Sequence, residues 1–174
     1  MLKILKNSRN IFRQQSGVAA VEFAIIAMLL FTLLFGILEF GRMFYLFNTV
    51  QEVTRRAARE AVIRWIDAGS QDEAKSLALF GGGSLPAGAE ITSTNINIEY
   101  FKADGGEITK PPSDAEENIL ACLYPNESVD CIALVQVSIT GATYLPMVGL
   151  FPFLEISIPA STVTMPAESM GYSG

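Results

Sequence analysis

The sequence contains no histidine. That removes the commonest general base and the commonest neutral metal ligand. Its serines have no histidine partner for a triad and no Ser-x-x-Lys spacing. The only cysteines, Cys122 and Cys131, stand too far apart for a zinc site without histidine. Asp114, Glu116 and Glu117 lack calcium-loop spacing, and Gly81-Gly82-Gly83-Ser84 lacks the Lys-Ser/Thr of a phosphate-binding loop. Positive charge is scarce in the distal part: residues 67–174 hold Lys75, Lys102 and Lys110 against fourteen acids. So acidic a body does not suit nucleic acid, whose phosphates need a basic patch, nor docking on anionic lipid. No cofactor, no metal and no reaction are expected, and a membrane-anchored envelope enzyme is the least favoured class.

Apolar residues are abundant but unevenly placed. Val18 to Leu38 carries one charge, Glu22, and is long enough to span a bilayer as a helix. Before it lies a short basic segment, residues 1–17, with Lys3, Lys6, Arg9 and Arg13 and no acid. A secretory signal peptide would have a shorter apolar run followed by a small-x-small site, and none follows here. The basic flank favours a cytoplasmic N-terminus, with residues from about 40 onward outside. A lone cysteine pair in a non-cytosolic body suggests one disulfide between Cys122 and Cys131; the alternative is two unpaired thiols.

The helical pattern continues past Leu38. Glu39 to Ile66 has no proline, and Val50, Val53, Ala57, Ala61 and Trp65 recur at steps of three and four. Such a stripe needs a partner, and other subunits are the expected one. Gly69-Ser70 reads as the stop, so one helix is expected over 18–68, about 75 Å long at 1.5 Å per residue. Glu39 and Arg42, three apart, are expected to pair at the outer interface.

Residues 69–174 read as a small head. A short helix is expected over Gln71–Phe80, and Pro111–Asn118 reads as a loop or short helix. Ile91–Tyr100, Cys131–Thr140 and Leu154–Met165 read as three strands of one antiparallel sheet, with Asp104-Gly105-Gly106 as a turn. Tyr144–Phe153 is apolar with two prolines and reads as a loop. Asn126-Glu127-Ser128 has glycosylation spacing that arises readily by chance. The fold class is therefore α+β: a long transmembrane and amphipathic helix, then a head with an antiparallel sheet.

A carboxylate in a span is costly, so Glu22 needs a reason. Snorkelling to the interface is one. Cleavage after Gly17 supplies another: Val18 then carries a positive α-amine, and Glu22 lies one turn along to neutralise it or that of a neighbour. The basic leader, Gly17, four apolar residues and Glu22-Phe23 resemble the cleavage motif of type IV prepilins. Ser16 to Ala24, then Gly36-Ile37-Leu38-Glu39-Phe40-Gly41-Arg42, then Ala57-Ala58-Arg59-Glu60-Ala61 resemble the TadE-like family of the tight-adherence branch. The resemblance covers roughly residues 13–65 and departs at Phe23, where that branch has tyrosine. It implies a non-catalytic pseudopilin-like minor subunit or assembly factor of a tight-adherence pilus in the bacterial inner membrane. It makes Gly17, Val18, Glu22 and Phe23 processing determinants. It implies a prepilin peptidase, other pilus subunits, an inner-membrane assembly platform and the lipid bilayer as partners. The alternative is an uncleaved, single-pass anchored periplasmic scaffold or binding protein.

Overall fold

The structure, a computed structural model, describes residues 11–125 and 128–172, with side chains from residue 17. Lys3, Lys6, Arg9 and the Asn126-Glu127 pair lie outside these, as does the side chain of Arg13. The elements are α1 (Ile11–Ala61), α2 (Ala68–Ala78), β1 (Ser84–Leu85), β2 (Gly88–Thr92), β3 (Ile96–Phe101), α3 (Ala115–Leu123), β4 (Leu134–Ile139), β5 (Thr143–Tyr144), β6 (Ile156–Ser157) and β7 (Ser161–Pro166). They divide into two compact units: one comprises the chain to Gly41 with Pro146–Pro152, the other Arg42–Leu145 with Phe153–Gly174.

α1 contains no proline and runs unbroken for 51 residues. It stops at Ala61, earlier than its sequence pattern implies. No glycine or proline stops it. The Val62 carbonyl is taken instead by the Glu168 N–H at 3.1 Å and the Met170 N–H at 3.4 Å, so the C-terminal segment caps the helix. Asp67 then starts α2, accepting from the Ser70 N–H at 3.0 Å. Gly69-Ser70, expected as a stop, thus forms the first turn of a new helix.

The second unit is built on an antiparallel sheet of order β3-β4-β7. Register places Ile96, Ile98 and Tyr100 beside Ile139, Val137 and Val135, and these beside Ser161, Val163 and Met165. This face is buried or half-buried. The opposite face carries Asn97, Glu99, Gln136, Ser138, Thr162 and Thr164. Strict alternation is what a sheet with one covered face requires. Burial pushes the Tyr100 phenol up to about 12.

Two expected strands are interrupted. Ile91–Tyr100 breaks at Ser93–Asn95, a 3₁₀ turn held by the Thr92 N–H donating to Asn95 Oδ1 at 2.9 Å. Leu154–Met165 breaks around Pro159, which has no N–H to give a ladder. β6 pairs with β5 and β7 with β4. The 104–106 turn forms as read, with Gly105 at φ 81° and the Lys102 N–H donating to the Gly106 carbonyl at 2.9 Å. The segment read as loop or short helix is α3, capped by Asp114 accepting from the Glu117 N–H at 2.8 Å.

The C-terminal part of α1 belongs to the core of this unit. Leu46, Val50, Val53, Ala57 and Ala61 are all buried. Phe47, Val50, Gln51 and Arg55 share a groove of about 490 Å³ with Pro159–Val163. Gly88 packs directly on Leu46, leaving no room there for a Cβ. Leu46→Ala should therefore destabilise the head by about 2–5 kcal/mol. Leu30→Ala, on an exposed part of α1, should leave the head's denaturant midpoint unchanged. Equal effects of the two in detergent-solubilised protein would contradict this assignment of the core.

Candidate functional site

The candidate site is the apolar part of α1 with the residues that flank it. It is the one helix among the described residues long and apolar enough to cross a membrane, and its most apolar window, of mean hydropathy 2.6, is uncovered by the rest of the chain. Val18, Phe23, Ile26, Leu30, Leu33 and Leu38 all point outward. The one hydroxyl of that stretch is satisfied, since Thr32 Oγ1 donates to the Met28 carbonyl at 2.8 Å. Backbone groups inside a helix are paired along its length, which is the condition for residence in hydrocarbon. Exposed Phe40, Phe44 and Tyr45 follow at the C-terminal end of the run, where aromatic side chains suit a membrane interface.

Gly17, Val18, Glu22 and Phe23 lie in sequence on this helix, all exposed. A Cβ built on Gly17 meets nothing within 4 Å. Val18 and Glu22 are one turn apart on one face. The four residues are open to the surroundings on a helix continuous with the apolar run.

The stripe has a different fate. Val50, Val53, Ala57 and Ala61 are covered by the chain's own head, so they are core positions and not a free surface for other subunits. The period-3.6 pattern identified the face correctly but could not say what covers it. Trp65 lies beyond α1, half-buried in the connector, where a Cβ placed on Gly171 would stand 3.3 Å from its backbone nitrogen.

Two charged residues at the C-terminal end of the run have partners that lie far off in sequence. Glu39 is 3% exposed, and its Oε1 accepts from the Met147 N–H at 2.7 Å. Arg42 forms an ion pair with Glu90, donates to the Leu145 carbonyl at 2.8 Å and to the Ala87 carbonyl at 3.3 Å, and sits 4.9 Å from the Tyr144 ring centroid. These contacts are additional to the Glu39–Arg42 pairing that the spacing leads one to expect. Sequence reasoning missed Glu90, Met147 and Leu145, because no local period reports a contact across 48 to 108 residues.

In the distal part, Cys122 on α3 and Cys131 form a disulfide with Cα atoms 4.8 Å apart. Asn118 reinforces it: its Oδ1 accepts from the Ile132 N–H at 2.8 Å. Next to it, Asp130 gathers the Lys110 and Thr109 N–H groups, both at 2.8 Å, and Lys102 Nζ at 3.0 Å. These donors hold its carboxyl well below the usual carboxylate range, the Lys110 N–H contributing most. No group of three or more His, Cys, Asp or Glu that could hold a metal occurs among the described residues.

Residues 17–59 match the model of a family described as TadE-like protein. The match begins at Gly17 and runs through the span to the buried stripe, ending before the head's sheet. No curated protein and no solved structure matches the chain.

Because the Asp130 carboxyl is depressed in the folded state, its contribution to stability is present above the ordinary value of 3.8 and fades as pH falls below it. The head's denaturant midpoint should drop as pH falls from about 4 toward about 2, and Asp130→Asn should make that drop smaller. An unchanged drop in the variant would show that Asp130 is not the group responsible.

Proposed function

We propose that this chain is a non-catalytic, pseudopilin-like minor subunit or assembly factor of a tight-adherence pilus, anchored in the inner membrane by α1 with its head outside the cytoplasm. The observation that carries the reading is the family match over residues 17–59, which supports a role related to pilus assembly. The exposed apolar helix supports a membrane anchor. The basic residues before the span favour a cytoplasmic N-terminus, and the disulfide of the head agrees with an oxidising compartment.

The mechanism needs no reaction in this chain. A peptidase that cuts after Gly17 frees the Val18 amine. Glu22 then offers that amine, or a neighbour's, a carboxylate in a medium of low dielectric. Paired charges attract there and single ones are penalised, so the pair sets the axial register between packed helices. With the stripe committed to the head's own core, the surface left for neighbouring helices is the uncovered apolar run. The partners proposed are a prepilin peptidase, other pilus subunits and the assembly platform.

A second reading, an uncleaved anchored scaffold, draws on the continuity of α1 through the Gly17–Val18 bond. N-terminal analysis of the protein from its host separates the two. A mature chain beginning at Val18 is expected, and retention of residues 1–17 in all molecules supports the scaffold. Gly17→Ala should abolish processing while leaving the head's stability unchanged, since a methyl group there meets no neighbour. Normal cleavage of that variant would sink the peptidase assignment.

A further inference from the structure

Pro146–Pro152 belongs to the same compact unit as the apolar part of α1, and two contacts fix its level along that helix. The Phe151 ring lies against Gly36, where a Cβ would stand 3.6 Å from Cζ. The Met147 N–H donates to Glu39 at 2.7 Å. Gly36 and Glu39 are neighbours on one helix face. Val18–Leu38 measures about 31 Å at 1.5 Å per residue, close to the thickness of a hydrocarbon core. Gly36 then lies about 3 Å inside the outer boundary, and Glu39 just past it. The segment takes its depth from these two contacts.

Its composition fits that depth. Tyr144–Phe153 contains no charged residue. Pro146 and Pro152 have no N–H to satisfy, the Met147 N–H is held by Glu39, and the Phe151 N–H donates to the Val148 carbonyl at 3.2 Å. Yet Met147 is 76% exposed and Leu150 59% exposed. Phe151 faces the helix and these two side chains do not.

We propose that Pro146–Pro152 is a second membrane contact, placing the Met147 and Leu150 side chains in the outer leaflet where acyl chains meet headgroups. The proposal rests on the reading of α1 as a membrane anchor. Lipid is the occupant because the exposed side chains continue the apolar surface of the span at the level where the span leaves the bilayer. A single helix is free to turn about its own axis in a membrane. A loop that enters the same leaflet on one side fixes which face is covered and which is offered to neighbouring helices.

Full-length protein carrying Met147→Trp or Leu150→Trp tests this in nanodiscs containing one copy each. The phosphatidylcholine carries bromine near either the carbonyl end or the methyl end of its acyl chains. The parent, with Trp65 alone, supplies the baseline. For an indole at the boundary between headgroups and acyl chains, emission at either position should fall about two-fold with bromine near the carbonyl end. Bromine near the methyl end should quench these positions less. Leu30→Trp, in mid-span, should show the reverse order. Unquenched indoles at 147 and 150 beside a quenched one at 30 would overturn the loop proposal and leave the anchor standing. No quenching at any of the three would overturn both. Stronger quenching at 147 and 150 by bromine near the methyl end would overturn the proposed depth.

Discussion

A long helix satisfies its own backbone hydrogen bonds wherever it lies, but its side chains still need cover, and α1 obtains that cover in two ways. Toward its N-terminal side the apolar residues point outward all round and have only lipid or other helices to meet. From Leu46 onward one stripe is apolar, and the head closes over it. Each part of the helix is apolar in the manner its surroundings demand. A helix apolar on all faces belongs in a bilayer, whereas one with a single stripe belongs on a protein core.

The head follows from that second demand. A three-stranded sheet with one apolar face needs a layer against that face, since sheets bury one side or fail. The stretch of α1 from Leu46 to Ala61 adds buried apolar side chains to this unit, which matters for a body too small to build a large core of its own. Gly88 lets backbone approach Leu46, and the C-terminal segment closes the helix end through Val62. The disulfide, Asn118 and Asp130 hold the segments that the sheet does not reach.

Much of this was legible in the sequence where the signal is local. Period two marked β3 and the two faces of β4, and period three to four marked Val50, Val53, Ala57 and Ala61 as one buried face. The span and its Glu22 were plain from composition. What escaped was set by distant segments. The end of α1 is decided by Glu168 and Met170, not by a residue near Ala61. The cap at Asp67 was overlooked although the residue type signals it. Arg42 with Glu90, and Glu39 with Met147, join segments that no local pattern links. The same limit explains the stripe: periodicity says that a face is covered, and only tertiary structure says by what.

Hydrogen exchange along α1, in nanodiscs with rising urea, addresses the two-environment account most directly. Residues 46–61 should lose protection together with β3, β4 and β7, while residues 18–38 stay protected in lipid. Protection of 46–61 that outlasts the sheet, or free exchange of 18–38 in the intact bilayer, would contradict it.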